Sequence, residues 1–117
     1  MTFEHSIVGD VHVLTPKKNL LGQEETLALR GAVQEIAERG VPKIVVDLGR
    51  IAYINSNGLG ALVGMMTTCK RREGAFVIAR VGSRIGSMFM KVKIVLIMDT
   101  FETIEEAVAA VQETHVG

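Results

Sequence analysis

A chain of 117 residues suits one domain and leaves little room for a second. Thirteen basic and thirteen acidic residues cancel, so no electrostatic footprint marks the chain for nucleic acid or an anionic surface. The lone cysteine, Cys69, excludes an internal disulfide, and the longest apolar run, Leu59 to Met66, falls far short of the roughly 20 residues a membrane helix needs. Met1 to His5 lacks the charged-then-apolar start of a signal peptide. A cytoplasmic protein with no membrane insertion is expected.

Phe3 to Val8 and Val11 to Thr15 predict an N-terminal hairpin turned at Gly9-Asp10 and stopped by Pro16. Lys17 to Gly22 is a loop. Gln23 to Arg39 reads as an amphipathic helix, with Leu29, Val33, Ile36 and Ala37 on one face and acidic Glu24 and Glu25 in its first turn. Lys43 to Leu48 is nearly all apolar, as in a central strand covered on both faces. Asn57 to Glu73 predicts a second helix on a stripe of Leu59, Leu62, Val63, Met66 and Cys69, capped at its end by Gly74. Gly58, Gly60 and Gly64 would let it lie close to the sheet, since each costs about 1 kcal/mol against alanine and needs a reason. Ala75 to Ala79 is a further strand. Ser83 is placed to cap a third helix with Ile85, Met88, Phe89 and Val92 on its stripe. Ile94 to Met98 reads as a fifth strand and Asp99 to Phe101 as a turn. Thr103, with Glu106 at the capping-box position, opens a last helix, and the tail from Gln112 to Gly117 is expected to fray. The order β-β-α-β-α-β-α-β-α predicts an α/β domain with a mixed five-stranded sheet and about four helices.

The motifs for chemistry are sparse. His5, His12 and His115 have no metal-ligand spacing, and Cys69 sits on an apolar helix face, as a core residue would. No nucleophile elbow surrounds Ser56. Gly58 to Gly64 follows a strand and opens a helix, like a dinucleotide loop, but Ala79-Arg80 stands where that motif expects an acid. No metal or cofactor is expected. The informative stretch is the polar corner Asn55-Ser56-Asn57, which joins a strand to a Gly-rich helix. Ser56 there either caps the helix or offers a hydroxyl at a helix N-terminus, where an added phosphate would be held by free N–H groups.

Val45 to Leu48, followed by Ile51 to Leu62, resembles the signature of STAS domains, the anti-sigma factor antagonist family. Gly74 to Ile78 and the segments from Ser83 to Ala107 are similar to the family's later elements. The resemblance implies a small mixed sheet with helices on one side, and a bacterial regulator that is not an enzyme. It implies that Ser56 is phosphorylated by an anti-sigma factor with serine kinase activity and reset by a serine phosphatase. It places partner contacts on the loop residues Lys18, Asn19, Leu20 and Leu21 and on Asn55, Ser56, Asn57, Gly58, Leu59 and Gly60. Three departures stand out: Asn55 replaces the family's aspartate, Asn57 replaces the Ser/Thr after the serine, and Pro16 to Gly22 replaces its usual Gly-x-Leu-Asp loop. A non-switched STAS subunit of a transport complex or stressosome-like assembly, with Met90 as a contact, is the alternative, and a small-nucleotide-binding module is a third.

Overall fold

A computed structural model describes residues 2–112. The expected fraying tail therefore lies, beyond Gln112, outside the described residues. Gly9, at φ +64°, reverses the chain between β1 (Phe3–Val8) and β2 (Val11–Pro16), and the antiparallel register closes on Val8 opposite Val11. The helix α1 (Glu24–Glu38) then crosses to β3 (Lys43–Asp47), α2 (Ser56–Arg71) to β4 (Ala75–Ala79), and α3 (Ser83–Lys91) to β5 (Thr100–Phe101). The sheet order is β1-β2-β3-β4-β5, antiparallel only at the hairpin. The mixed five-stranded sheet and the four helices agree with the expectation. The last helix, α4 (Ile104–Gln112), opens on Thr103, whose Oγ1 accepts the Glu106 N–H at 3.1 Å.

Alternation along the strands builds two cores. Leu14, Ile44, Val46, Phe76 and Ile78 point to α1, α2 and α3, where Leu29, Val33, Leu62, Met65, Ile85 and Phe89 meet them. Val13, Val45, Val77 and Ala79 point the other way, onto Ala107, Val108 and Val111 of α4. Helices therefore cover both faces, and the one-sided arrangement implied by the family resemblance is corrected. The unbroken apolar run of β3 has this physical cause, because each of its faces meets a helix layer.

Ile94 to Met98 is not a strand. Lys93 takes a left-handed conformation at φ +58°, and Ile94–Leu96 forms a single 3₁₀ turn. Ile94 and Met98 are buried, four residues apart, while Val95, Leu96 and Ile97 face outward. A run of five apolar residues cannot by itself distinguish a strand from a helical turn. The fifth strand is instead Thr100–Phe101, set by pairing with Ile78 and Ala79, where a turn was expected.

Two smaller expectations also change. Gly82, not Ser83, holds the cap position of α3. The left-handed residue ending α2 is Glu73, at φ +59°. Gly74 is required for another reason: a Cβ there would stand 2.0 Å from the Pro42 carbonyl oxygen.

Candidate functional site

After β3 the chain runs out through Leu48 to Ile54 and turns into α2 at Asn55. Asn55 is the helix cap, with extended backbone, and its Oδ1 accepts the Gly58 N–H at 2.9 Å. The cap duty considered for Ser56 thus falls to its neighbour. Ser56 is the first helical residue and is exposed, and its hydroxyl has no hydrogen-bond partner among the described residues. The N–H groups of Ser56 and Asn57 point out of the first turn, where a helix has no acceptor of its own. No acidic residue occupies that turn, so the positive end of the helix dipole is not offset there.

The loop between β2 and α1 is fastened to this corner. Asn19 Oδ1 accepts the N–H groups of Ala52 and Tyr53 at 3.0 and 3.1 Å. Leu20 bridges Ile54 in parallel, and the Asn55 N–H donates to the Leu20 carbonyl at 3.2 Å. Asn55 Nδ2 donates to the Leu21 carbonyl at 3.0 Å. From the other side, Glu25 accepts the Leu21 N–H at 3.1 Å and Thr26 Oγ1 accepts the Gly22 N–H at 2.9 Å. Backbone N–H groups around Glu25 hold its carboxyl below the usual range. Glu25 was read as a dipole partner of α1. Its bond to the loop was not legible, because it depends on where Leu21 lies.

The structure therefore brings together all the residues expected to meet a partner, in two layers. Lys18, Ser56, Asn57 and Gly60 are exposed. Asn19, Leu21, Asn55 and Leu59 are half-buried, and Leu20 and Gly58 lie beneath them. Gly58 is where α2 touches the loop: a Cβ there would stand 2.1 Å from the Leu20 carbonyl oxygen. Gly60 has open space around it, and Gly64 has only ordinary contact with Arg30, so the close approach expected of three glycines belongs to one. In a dinucleotide loop, room is left at such a glycine for a phosphate. Here the chain's own loop fills it.

Sequence reasoning missed the pair below the corner. Asp47, 1% exposed at the end of β3, accepts from Arg80 Nε and Nη2 at 2.8 and 2.9 Å, from the Gly49 N–H at 2.9 Å and from Thr15 Oγ1 at 3.2 Å. Burial pushes its carboxyl up, but Arg80, Gly49 and Thr15 outweigh that and hold it below the usual range. Arg80 had been noted only as the wrong residue for a dinucleotide site. Cys69 is buried, and desolvation pushes its thiol up to about 12, which suits a core residue.

The sequence profile of the STAS domain family matches residues 5–107. The chain belongs to the STAS domain family. A Thermotoga neapolitana protein, provisionally named the homologue of an anti-sigma factor antagonist, is 27% identical over 110 residues, which span 94% of this STAS domain and 97% of the relative. A crystal structure of a similarly named Thermotoga maritima protein has 26% identity and a TM-score of 0.86, covering 95% of each chain. The phosphorylated form of the Bacillus cell fate determinant SpoIIAA shares the fold at a TM-score of 0.73 and 19% identity, over 93% of this chain and 98% of that one.

In this STAS domain the asparagine at position 55 has a physical reason. Aspartate could still accept from Gly58, but it has no donor for the Leu21 carbonyl and would set a carboxylate oxygen against it. Asn55→Asp is therefore expected to destabilise the fold by about 1–2 kcal/mol, the usual cost of a lost bond to a part-buried acceptor. Urea unfolding would measure this. A midpoint equal to that of the parent protein would show that the amide donor is dispensable.

Proposed function

We propose that this STAS domain is an anti-sigma factor antagonist that is not itself an enzyme. It binds an anti-sigma factor with serine kinase activity, and phosphorylation of Ser56 releases that partner. A serine phosphatase restores the binding form. The single observation that carries this reading is the division of labour at the corner: Asn55 caps α2, leaving an exposed Ser56 hydroxyl free at the helix N-terminus. A phosphate there would sit among free N–H groups at the positive end of the helix dipole. It would bring nearly two negative charges onto a neutral corner and change docking without refolding the core. The names of the Thermotoga relatives support the antagonist role. The phosphorylated form of SpoIIAA supports a phosphate-bearing state within this fold.

The test is incubation with the cognate anti-sigma kinase and ATP, followed by mass spectrometry. One phosphate on the Ser56 peptide is expected, with none on Ser56→Ala, and Ser56→Asp should lose most of its affinity for the kinase. An active kinase that leaves Ser56 unmodified would sink the switch. That outcome would favour the second reading, a non-switched assembly subunit, which the exposed Met90, Val92, Val95, Leu96 and Ile97 support as a contact face.

A further inference from the structure

A cavity of about 570 Å³ opens beside the serine corner, between the Tyr53–Ile54 segment and α3. Its size falls within the range of small-molecule sites, roughly 300–1,000 Å³. Ile54 and Ile85, both buried in the core, and Met88 supply an apolar floor, and half-exposed Val92 also lines it. Arg84 and Lys91 stand on its wall, seven residues apart and so on one face of α3. Both are exposed, and neither makes an ion pair with any described residue. Among the described residues no acidic side chain lines the cavity, and the sequence holds none between Glu73 and Asp99. Two unneutralised cations beside an apolar floor define what fits: an apolar body with an anionic head. A second copy of this surface is disfavoured, because its cations would meet like charges.

We infer that this cavity binds a small anionic amphiphile, a carboxylate or phosphate monoester on a short apolar chain, taken free from solution. The apolar body lies on Ile54, Ile85 and Met88, and the head pairs with Arg84 and Lys91. The inference stands on the cavity alone and does not need Ser56 to be phosphorylated.

The molecule carries its own probe. Tyr53 is the only tyrosine and there is no tryptophan, so its fluorescence reports from the cavity wall. Titration of the full chain with decanoate and with octyl phosphate, below their micelle concentrations, should give a saturable change in Tyr53 emission. Neutral decanol and cationic decyltrimethylammonium should bind at least tenfold more weakly. The double variant Arg84→Glu, Lys91→Glu should weaken decanoate at least tenfold while keeping the parent's melting temperature, since both side chains are exposed. Equal affinity for the anionic, neutral and cationic chains would overturn the inference, as would no effect of the double variant. Silence toward free amphiphiles, with co-sedimentation on phosphatidylglycerol vesicles or capture of an acidic peptide, would assign the surface to a membrane or a protein and would equally overturn it.

Discussion

Gly58→Ala is expected to destabilise the protein by about 3 kcal/mol, while Gly60→Ala, two residues away in the same helix, is expected to stabilise it by up to about 1 kcal/mol. The first substitution drives a methyl group to within 2.1 Å of the Leu20 carbonyl oxygen. That atom belongs to backbone, and it already accepts the Asn55 N–H, so it cannot yield as the end of a side chain would. The helix or the loop must move, and the gain of about 1 kcal/mol in helix propensity offsets only part of the strain. At Gly60 nothing lies within 4 Å of the added methyl group, and alanine simply narrows the unfolded ensemble. Thermal or urea unfolding of both variants gives the two signs. If Gly58→Ala were as stable as Gly60→Ala, the contact between helix and loop would not be tight.

Arg80→Ala is expected to cost about 2–3 kcal/mol at neutral pH. A fully buried pair broken on one side costs roughly 3–5 kcal/mol. The figure is reduced here because the Arg80 side chain is 43% exposed and its attraction is partly screened. The carboxylate left behind is 2% exposed, with only Gly49 and Thr15 to hold it. Removing the other partner should be milder. Asp47→Asn frees a half-exposed guanidinium that water can solvate, and a loss of about 1–2 kcal/mol is expected. The two substitutions also differ from the parent in a pH-dependent way. The carboxyl of Asp47 is depressed in the folded state, so its stabilisation is present above the unfolded carboxyl range, near 4, and is lost as pH falls through the folded value. The deficit of Arg80→Ala should therefore be largest at neutral pH and shrink in acid. Stability curves measured between pH 7 and pH 3 would show it. A deficit that stayed constant across that range would mean that Arg80 acts by packing alone.

These features divide by how much of their cause is local. The polar corner was legible because Asn55, Ser56 and Asn57 are capping residues set between a β-rich strand and a Gly-rich run. Which of them caps was not legible, because the answer depends on Leu21, whose carbonyl takes the amide of Asn55. The hairpin, the central strands and the stripe of α1 were legible; in α2 Leu62, Met66 and Cys69 were, but buried Met65 was missed and Leu59 and Val63 are only half-buried. Ile94 to Met98 misled, because apolar content does not carry handedness and Lys93 turns left without the glycine that would announce it. Asp47 looked like the end of a strand and Arg80 like a missing acid. Their partnership spans 33 residues and exists only because β3 and β4 lie in register, with Asp47 beside Ala79. The exposure of Ser56 is likewise a property of three dimensions.

The fastening of the Lys17 to Gly22 loop has a kinetic consequence. A free loop would have to be ordered at each encounter with a partner, which slows productive docking and weakens the complex. Here Glu25, Thr26 and Asn55 have already fixed its backbone at Leu21 and Gly22, and the Asn19 side chain pins it to Ala52 and Tyr53. Lys18 and Ser56 are thus presented on one prebuilt frame, which would let a partner dock as a rigid body. Under the proposed function, the time between release and recapture would be governed by diffusion and by the state of the Ser56 hydroxyl, not by refolding of the surface.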